Sequence, residues 1–546
     1  MGLRYRDSVR VFYPPLAVPG PTDETHTAAN PAETTPMPEP LRCVPPTALI
    51  AGWDFSTGSV KCLAFDLSGT VVAEVRLPTD LWTEGGVSEL NLMQLEGQAR
   101  ASYRGIVTQL RHIGRQADWL AAGISATHHT AGRIDGYGNQ IRRAICWNDQ
   151  TLSKYHAVGL ERLGGQDRVR ELIGGPWAVR FSLSHLVKDE HTLPEENWVR
   201  TDLIQPHGPL AAGYLTGEFG VISISSAAST GMLDLRSGEW RREMLDALAE
   251  PGHRDAVWNS LPRLTDMAEP LGCVGEHLAN EPAVRGGPRP FIFPTLDDQA
   301  AGLVGGGAVD AGQVAVILGN SAVVNSSSAM LPQSGNLDAM RLNWGPYLWM
   351  RCYSNGAQFL DKVVGAKPDW PALEKAARAV PPGANGTEVL PFVLAEPSIG
   401  VLAPRFEWVP DQPADAGVRV RAAFEALAYL IALAVQEHEA AGQTITRVTV
   451  SGGIARSELM GEILASVLNR PLERLVSTEG PALGAAVAAL AGLETHLRRE
   501  RGITESFTVA DAVAAMVKFR EPVSPRPEWV PAYQEGLRRF AARVSG

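Results

Sequence analysis

The sequence is poor in cysteine and has no long apolar run. Its 546 residues include 5 cysteines, an odd number without a close pair, which argues against a disulfide framework or a zinc site and is typical of a reducing compartment. We therefore expect a cytoplasmic protein. No apolar run reaches the roughly 18 residues of a membrane helix, and the first residues lack the apolar core of a signal peptide, so we expect no membrane partner. The cysteines are Cys43, Cys62, Cys146, Cys273 and Cys352.

Basic residues are also fewer than acidic residues. The chain has 49 Lys and Arg against 60 Asp and Glu, a formal net charge of −11, whereas nucleic acids and anionic membranes require a basic face. We therefore expect no nucleic-acid partner. A small phosphate ligand is still compatible with this charge, because backbone N–H groups and a metal ion can neutralise it.

Two common nucleotide-binding motifs are missing as well. The sequence contains no GxxxxGK loop followed by Ser or Thr and no GxGxxG fingerprint. Their absence disfavours the P-loop and Rossmann classes of nucleotide enzyme. What the chain has instead is a set of small-residue turns at the ends of strands.

The length and the spacing of small residues predict two large domains. A chain of 546 residues exceeds a single ordinary core. The run GGGAVDAG resembles a linker, so we expect an N-terminal domain of residues 46–308 and a C-terminal domain of residues 309–500. Residues 1–45 are rich in Pro and Thr and are expected to form a disordered extension. Residues 501–546 are expected to form a helical tail that packs on the two domains.

A repeated pattern of strands indicates an α/β fold. Three short apolar segments between residues 47 and 75 predict an antiparallel meander. The strand–turn–strand pattern returns at residues 313–325, as a duplicated domain would show. We expect each domain to contain a sheet of mixed parallel and antiparallel strands. Further elements are predicted as helices at residues 91–113, 418–441, 457–468 and 481–493, strands at residues 120–125 and 447–450, and one more helix in the tail.

Three turns of small residues are candidate phosphate-binding loops. Small and hydroxyl residues let backbone N–H groups approach an anion, and the carboxylate of Asp54, before the first turn, is suited to a hydrated Mg²⁺ ion. Taken singly, each turn is better explained as a polar hairpin or a plain strand-to-helix connection. The candidate ATP- and phosphate-binding residues are Thr57, Ser59, Lys61, Gly319, Asn320, Ser321, Gly452, Gly453 and Ser457.

The order of these motifs resembles that of the FGGY carbohydrate kinases, and of xylulokinase-like members in particular. AGWDFSTGSVKCLAFD is similar to the family's first phosphate motif, and SGGIARSELMGEILASVLNRPL with EGPALGAAVAAL is similar to the adenosine-binding motif and the helix behind it. GISATHHTAGRID followed by AICWND resembles the substrate-side motif, and TLDDQAAGLVGGG the motif of the catalytic aspartate. The resemblance implies a two-domain actin-like ATPase (ribonuclease H-like) fold with an interdomain catalytic cleft.

The resemblance also implies a reaction, in which ATP with Mg²⁺ phosphorylates a ketose sugar. Asp298 matches the catalytic base and Asp54 the position expected to organise Mg²⁺. D-xylulose is the favoured sugar, and D-ribulose and erythritol are alternatives. The residues implied for sugar binding are His128, His129, Trp147, Asn148, Asp149 and Gln299.

Adjacent side chains in these motifs raise a question of geometry. On extended backbone, His128 and His129 would point to opposite faces, and His129 matches the sugar-contacting position. By the same argument we expect the side chains of Asp297 and Asp298 to diverge, with Asp297 serving as a strand-end or helix-start residue.

Several positions depart from the family pattern. Ser56 replaces a usual Gly, Asn320 a usual Thr, Gln299 an Asn, and the Thr127–His128 pair a Gln–Met pair. Two other classes therefore stay open: a sugar or nucleotide sensor without turnover, and an actin-like chaperone or polymer. The oligomeric state is open too, with a homodimer as one option.

Overall fold

The computed structural model describes residues 42–365 and 368–545. Most of the predicted extension, residues 1–41, lies outside the described residues. The four residues that follow are anchored: the backbone N–H groups of Cys43 and Val44 each donate to a carboxylate oxygen of Glu494 at 3.0 Å. The first described residues are therefore hydrogen-bonded to a residue from the second half of the chain.

The first half of the chain alternates strands and helices. Its strands are β1 (Leu49–Phe55), β2 (Ser59–Phe65), β3 (Val71–Pro78), β4 (Leu81–Glu84), β5 (Val87–Leu90), β6 (Trp119–Ala126), β7 (Ala131–Ile134), β8 (Gln140–Ile145), β9 (Leu203–Pro206), β10 (Val221–Ser223), β11 (Leu233–Asp234), β12 (Glu239–Trp240), β13 (Arg263–Thr265), β14 (Gly272–Cys273), β15 (Phe291–Ile292) and β16 (Leu296–Asp297). Its helices are α1 (Leu92–His112), α2 (Leu152–Leu163), α3 (Gln166–Ile173), α4 (Ser182–Thr192), α5 (Glu195–Arg200), α6 (His207–Thr216), α7 (Ile224–Ala228), α8 (Pro251–Asn259), α9 (Glu276–Ala279) and α10 (Asp298–Gly305).

The second half repeats the alternation with longer helices. Its strands are β17 (Gln313–Leu318), β18 (Ala322–Ser328), β19 (Asp338–Arg341), β20 (Tyr347–Tyr353), β21 (Glu388–Phe392), β22 (Arg405–Val409), β23 (Arg447–Ser451) and β24 (Glu473–Arg474). Its helices are α11 (Ala357–Val364), α12 (Trp370–Arg378), α13 (Ala416–Ala440), α14 (Glu458–Leu468), α15 (Gly480–Glu500), α16 (Val509–Met516) and α17 (Val530–Ser545).

The first sheet has the order β3-β2-β1-β6-β15-β14, and β16 also pairs with β6. β1, β2 and β3 form the predicted antiparallel meander, whereas β6 runs parallel to β1. All seven residues of β1 are buried, as expected for a central strand covered on both faces. Because β16 is also parallel to β6, three strands point their carboxyl ends to one edge, the usual place for a ligand in such sheets.

The second sheet repeats this arrangement. Its order is β19-β20-β18-β17-β23-β24, with β17 antiparallel to β18 and parallel to β23. The segment β20-β18-β17-β23-β24 thus matches β3-β2-β1-β6-β15, which confirms the predicted second copy. A separate five-stranded sheet, β4-β5-β8-β7-β9, belongs to the first half alone.

The predicted late helices are present, but one boundary and the number of helices in the tail were wrong. α15 continues to Glu500 rather than to residue 493, since no Gly or Pro interrupts the chain between residues 493 and 501 and Arg498 and Arg499 suit the negative end of the helix dipole. The tail forms two helices, α16 and α17, rather than one. On α17, Tyr533 and Phe540 are buried in the same core as α13 and α14.

Two helices, α10 and α15, join the two sheets. α15 comes late in the chain but packs on β1 and β6, whereas α10 leaves the first sheet and contacts β17 and β18. α10 and α15 cross without room for a side chain, since a Cβ atom on Gly484 would lie 1.8 Å from the backbone oxygen of Ala301. α15 packs equally closely on β1, where a Cβ atom on Gly52 would lie 1.8 Å from the backbone oxygen of Ala482. Glycine is required at both contacts because a backbone cannot move aside as a flexible side chain can.

We expect Gly484→Ala to destabilise the protein. Inserting a methyl group into a packed core typically costs about 1–3 kcal/mol, and here the methyl would overlap backbone atoms, so the midpoint of thermal unfolding should fall by several degrees at a fixed scan rate. Gly480→Ala, one turn earlier on α15, is the matched control, since its Cβ would meet nothing within 4 Å. Equal midpoints for the two variants would contradict the close crossing.

Candidate active site

The candidate site lies at the edge of the first sheet where β1, β6 and β16 end. Asp54 near the end of β1 is in register with Ser125 of β6, and the Ser125 hydroxyl donates to Asp54 at 3.2 Å. Asp297 closes β16 opposite Ala126, and Asp298 begins α10. The parallel pairing therefore brings together carboxylates that are far apart in the sequence.

Asp298 is the carboxyl group with the most perturbed surroundings at this edge. Burial, followed by the negative charges of Asp297 and Asp54, raises the pKa of Asp298 well above its ordinary value. A carboxylate whose pKa is raised is a stronger base and suits proton transfer. The Gln299 amide donates to Asp298 at 3.3 Å, and Asn325 on β18 donates to the Gln299 side chain at 3.1 Å. Gln299 thus connects Asp298 to the second sheet.

Asp297 confirms one prediction and contradicts another. As predicted, it starts a helix: its side chain accepts from the backbone N–H groups of Gln299 at 3.0 Å and Ala300 at 2.9 Å. The expected divergence from Asp298 was wrong, because ligand atoms of Asp297, Asp298 and His128 all lie within 4.8 Å of one another. The turn from β16 into α10 brings the two neighbouring side chains together.

Asp54 and Lys61 face each other across the β1–β2 hairpin. Burial raises the pKa of Asp54 to about 6, against the opposing effects of the Lys61 charge and the Ser125 hydrogen bond. The Lys61 ammonium pairs with Glu479 at 3.0 Å, just before α15 begins. Ser56, in the turn, donates its hydroxyl to the Ser59 carbonyl at 2.8 Å, so this departure from the family Gly is used to close the hairpin.

The two histidines do not diverge as the extended-backbone argument predicted. Their ring centroids lie 3.4 Å apart with an interplanar angle of 18°, because His129 has a left-handed φ of 57°, which turns its side chain toward its neighbour. The His129 Nδ1–H donates to the Ser229 carbonyl at 2.8 Å, and the ring stacks on Phe181 at 4.4 Å. His128 Nε2 lies 3.9 Å from Asp297. His128 is therefore the histidine beside the carboxylates, and His129 supports it.

Burial also sets the charge of these histidines. It lowers the pKa of His128 to about 4, and it lowers the pKa of His129 well below its ordinary value. Both rings are neutral at neutral pH as a result. Neither Nε2 atom has a hydrogen-bond partner among the described residues. The His129 ring carries its proton on Nδ1, so its Nε2 can accept one further bond, whereas His128 Nε2 can accept or donate one.

Trp147, Asn148 and Asp149, which follow β8, have different surroundings. The Asp149 carboxylate accepts from Lys188 Nζ at 2.7 Å and from the Thr151 N–H at 2.8 Å, so it holds the segment in place. Asn148 has a buried side-chain oxygen with no partner in the described chain. Trp147 is 36% exposed. Of the three residues, Asn148 offers an acceptor that is not already satisfied.

One glycine in each of the three turns faces open space. A Cβ atom on Gly58, Gly319 or Gly453 would meet nothing within 4 Å. Gly452 differs, since its φ is +98° and a Cβ would lie 2.2 Å from the Leu318 carbonyl. This pattern leaves room for a ligand against the three turns. At Gly452, by contrast, the positive φ and the close Leu318 carbonyl require glycine for structural reasons.

The remaining turn residues have mixed surroundings. Ser457 caps α14 by accepting from the Met460 N–H at 3.1 Å. Ser321 lies in the β17–β18 turn with Gly319, whose N–H donates to the Ser321 carbonyl at 3.0 Å. Asn320 accepts through its backbone oxygen from Gly356 at 3.1 Å and is exposed. Thr57 is half-buried in the first turn. The Ser321 side chain forms a hydrogen bond with the Cys352 thiol, so Ser321 already has a partner within the protein.

Sequence reasoning missed several residues near this site. Arg180, just before α4, pairs with Asp338 of β19, and its charge lowers the pKa of both His128 and His129. Burial raises the pKa of Glu396 to about 7. Arg180 has no motif around it, so only the fold reveals its position.

Comparisons with known proteins agree with this geometry. Models of the N-terminal and C-terminal domains of the FGGY family of carbohydrate kinases match residues 49–305 and 369–493. The chain is 28% identical to a xylulose kinase of Escherichia coli (strain K12), over 80% of this chain and 88% of the relative. It is also 28% identical to a glycerol kinase of Methylorubrum extorquens (strain PA1), over 81% and 88%. The crystal structure of xylulose kinase from Rhodospirillum rubrum superposes with a TM-score of 0.76 at 22% identity, covering 91% of this chain and 98% of that one.

The duplicated mixed sheets define a two-domain actin-like ATPase fold. The chain belongs to the FGGY family of carbohydrate kinases. It is a carbohydrate kinase, and the family implies a sugar and ATP as its substrates. In the part of the chain that the structure describes, no helix is both long and apolar enough to cross a membrane.

Proposed function

We propose that this kinase transfers the γ-phosphoryl group of ATP to a hydroxyl group of a ketopentose, with D-xylulose preferred. The observation that carries the proposal is the position of Asp298, a half-buried carboxyl with a raised pKa in the segment that resembles the family's catalytic motif. The xylulose kinase of Escherichia coli among the relatives supports the choice of sugar. We propose that the enzyme acts in the cytoplasm, where both ATP and sugars would be available.

Each half of the chain receives one substrate in this proposal. The sugar lies against residues 46–308, where His128, His129 and Asn148 have unsatisfied polar atoms. ATP lies against residues 309–500, where Gly319 and Gly453 leave open space. Residues 501–546 are the tail that packs on these domains, which the burial of α17 supports.

The chemistry requires one proton transfer. The sugar oxygen forms a bond to the γ-phosphorus while the bond from that phosphorus to the bridging oxygen of ADP breaks. The hydroxyl proton passes to the Asp298 carboxylate, which Gln299 orients. Phosphoryl transfer needs mainly alignment and charge neutralisation from the protein, and the turn N–H groups and Lys61 are placed to contribute to both.

Asp54 is suited to a hydrated Mg²⁺ ion. Its carboxylate accepts one hydrogen bond, from Ser125, which leaves oxygen lone pairs for the water shell that Mg²⁺ retains. Mg²⁺ would neutralise charge on the phosphates of bound ATP. Because burial places the pKa of Asp54 at about 6, the carboxylate is charged at neutral pH and can attract the ion.

A coupled ADP-release assay with a panel of ketoses, aldoses and polyols tests the proposal. We expect turnover with ATP and a ketopentose, and none without sugar. Absence of turnover with every acceptor, together with sugar or nucleotide binding in calorimetry, would favour the sensor. Filaments seen by light scattering with ATP would favour the polymer. A homodimer is our proposal for the assembly, and sedimentation tests it.

Glycerol is the second candidate acceptor, because glycerol kinases also appear among the relatives. A site that hydrogen-bonds a given hydroxyl discriminates strongly against compounds that lack it. If glycerol, an aldose or a longer polyol exceeded every ketopentose in kcat/KM by more than about tenfold, roughly 1.4 kcal/mol in transition-state binding, the ketopentose assignment would be wrong and the kinase assignment would stand.

We expect Asn148→Ala to lower kcat/KM for the preferred ketopentose by about 10- to 100-fold. In the proposed complex a sugar hydroxyl donates to the buried Asn148 side-chain oxygen, and the variant would leave that hydroxyl without an acceptor. Preference over the epimeric ketopentose should fall in parallel, and this is measured by comparing both sugars. Asn139→Ala, at the exposed β7–β8 turn of the same sheet, is the control. An unchanged preference in Asn148→Ala would remove Asn148 from the sugar site.

A further inference from the structure

One group of side chains beside Asp298 has the composition of a metal site. One ring nitrogen of His128 and one oxygen each from Asp297 and Asp298 all lie within 4.8 Å of one another. Asp54, the residue proposed to serve Mg²⁺, is not a member of this group. The cluster combines one nitrogen with two carboxylate oxygens, whereas Mg²⁺ is bound in proteins by oxygen ligands.

His128 supplies an independent indication of a ligand. Its side chain is buried, with 5% of the residue exposed, and its Nε2 atom has no hydrogen-bond partner in the described chain. Buried polar atoms are nearly always satisfied. The same atom lies 3.9 Å from the nearest Asp297 oxygen, too far for a hydrogen bond but within the separation of two ligands on one ion.

The carboxylates are held in position before any ion arrives. Asp297 accepts from two backbone N–H groups at the start of α10 and from the Ser225 hydroxyl at 3.1 Å. Gln299 donates to Asp298, and the stacked His129 ring supports His128. Metal ligands are typically oriented by such outer hydrogen bonds, so little reorganisation is needed for binding.

We propose that His128, Asp297 and Asp298 form a binding site for a divalent transition-metal ion, with Zn²⁺ as its best occupant. Imidazole suits first-row transition metals, and three protein ligands leave an open coordination position for water. Arg180 is the nearby cation that opposes binding, and its pairing with Asp338 offsets that repulsion. Zn²⁺ here occupies the Asp298 oxygen that the proposed reaction uses, so it acts as an inhibitor that competes with the sugar.

Equilibrium dialysis of the full-length protein with Zn²⁺, in the absence of sugar and ATP, tests the site directly. We expect one tightly bound Zn²⁺ per chain, undisturbed by millimolar Mg²⁺. His128→Met should weaken binding at least 10- to 100-fold, since loss of even an outer partner of a ligand typically costs that much. Methionine is the residue that the resemblance places at this position, so the variant should fold, and thermal unfolding verifies it.

His112→Gln, which removes an exposed histidine, controls for adventitious binding and should leave Zn²⁺ affinity unchanged. Co²⁺ offers a second readout, because visible absorption bands of the bound ion should appear in the wild type and vanish in His128→Met. Equal Zn²⁺ affinity in wild type and His128→Met, no stoichiometric binding, or displacement by millimolar Mg²⁺ would each overturn the proposal. The inhibition rests on the proposed function, but dialysis does not, so failure of the kinase assignment would leave the binding result readable.

Discussion

Asp298→Asn is expected to lower kcat by about 10²–10⁴-fold or more, the usual contribution of a general base, while ATP and sugar still bind. Asparagine has nearly the same size and can still accept a hydrogen bond from Gln299, but it cannot take the proton of the attacking hydroxyl. Steady-state kinetics measure the loss, and calorimetry with each substrate measures binding. Asp167→Asn is the matched control, because Asp167 is an exposed aspartate in the first turn of another helix, α3.

The pH dependence separates this role from a structural one. Since burial raises the pKa of Asp298, kcat/KM should rise with pH through that raised pKa, and this limb should vanish in Asp298→Asn. Folding stability should change with pH in the opposite direction to kcat/KM. A carboxyl with a raised pKa in the folded state stabilises the fold while protonated, and that stability is lost as pH rises through the raised pKa. The variant should therefore unfold at or above the wild-type temperature at pH 8. Wild-type kcat in a folded Asp298→Asn protein would refute the base assignment.

Gly453→Val is expected to weaken binding of a non-hydrolysable ATP analogue by at least about tenfold, or roughly 1.4 kcal/mol, with little effect on sugar binding. The new side chain would enter the open space beside Gly453, where we propose that the nucleotide lies, and would meet no protein atom near its Cβ. Calorimetry with each ligand separates the two effects.

Two variants make that result interpretable. Gly97→Val, on the exposed side of α1 where a Cβ also meets nothing within 4 Å, should leave both affinities unchanged. Gly452→Val should instead destabilise the protein, because its Cβ would overlap the Leu318 carbonyl. If Gly453→Val weakened ATP and sugar binding equally, the nucleotide would lie elsewhere or the variant would be misfolded.

The sequence predicted what depends on local pattern. Alternating apolar segments and small-residue turns located the meander around Asp54 and its second copy after Gln313, and the helix start at Asp297 followed from its position between a strand and an apolar helix. Family resemblance added the fold and Asp298. These features are encoded within short stretches, so a single sequence is enough to find them.

The parts that were missed depend on distant contacts or on backbone angles. Nothing near His129 signals its left-handed φ, so the stacking with His128 could not be foreseen. The Lys61–Glu479 ion pair joins residues more than 400 positions apart. Arg180 and Asp338 come from different halves of the chain. Such pairs arise only after the sheets have assembled, and no local pattern records them.

The packing of α15 on β1 and β6 has a consequence for how the protein is made. While the ribosome is still synthesising the second half, the strands of the first sheet have no helix to cover the face that Gly52 and Gly123 will later present to α15. That apolar face stays exposed until residues near 490 leave the exit tunnel. The first half therefore cannot complete its fold as translation proceeds, in contrast to proteins whose domains mature one after another.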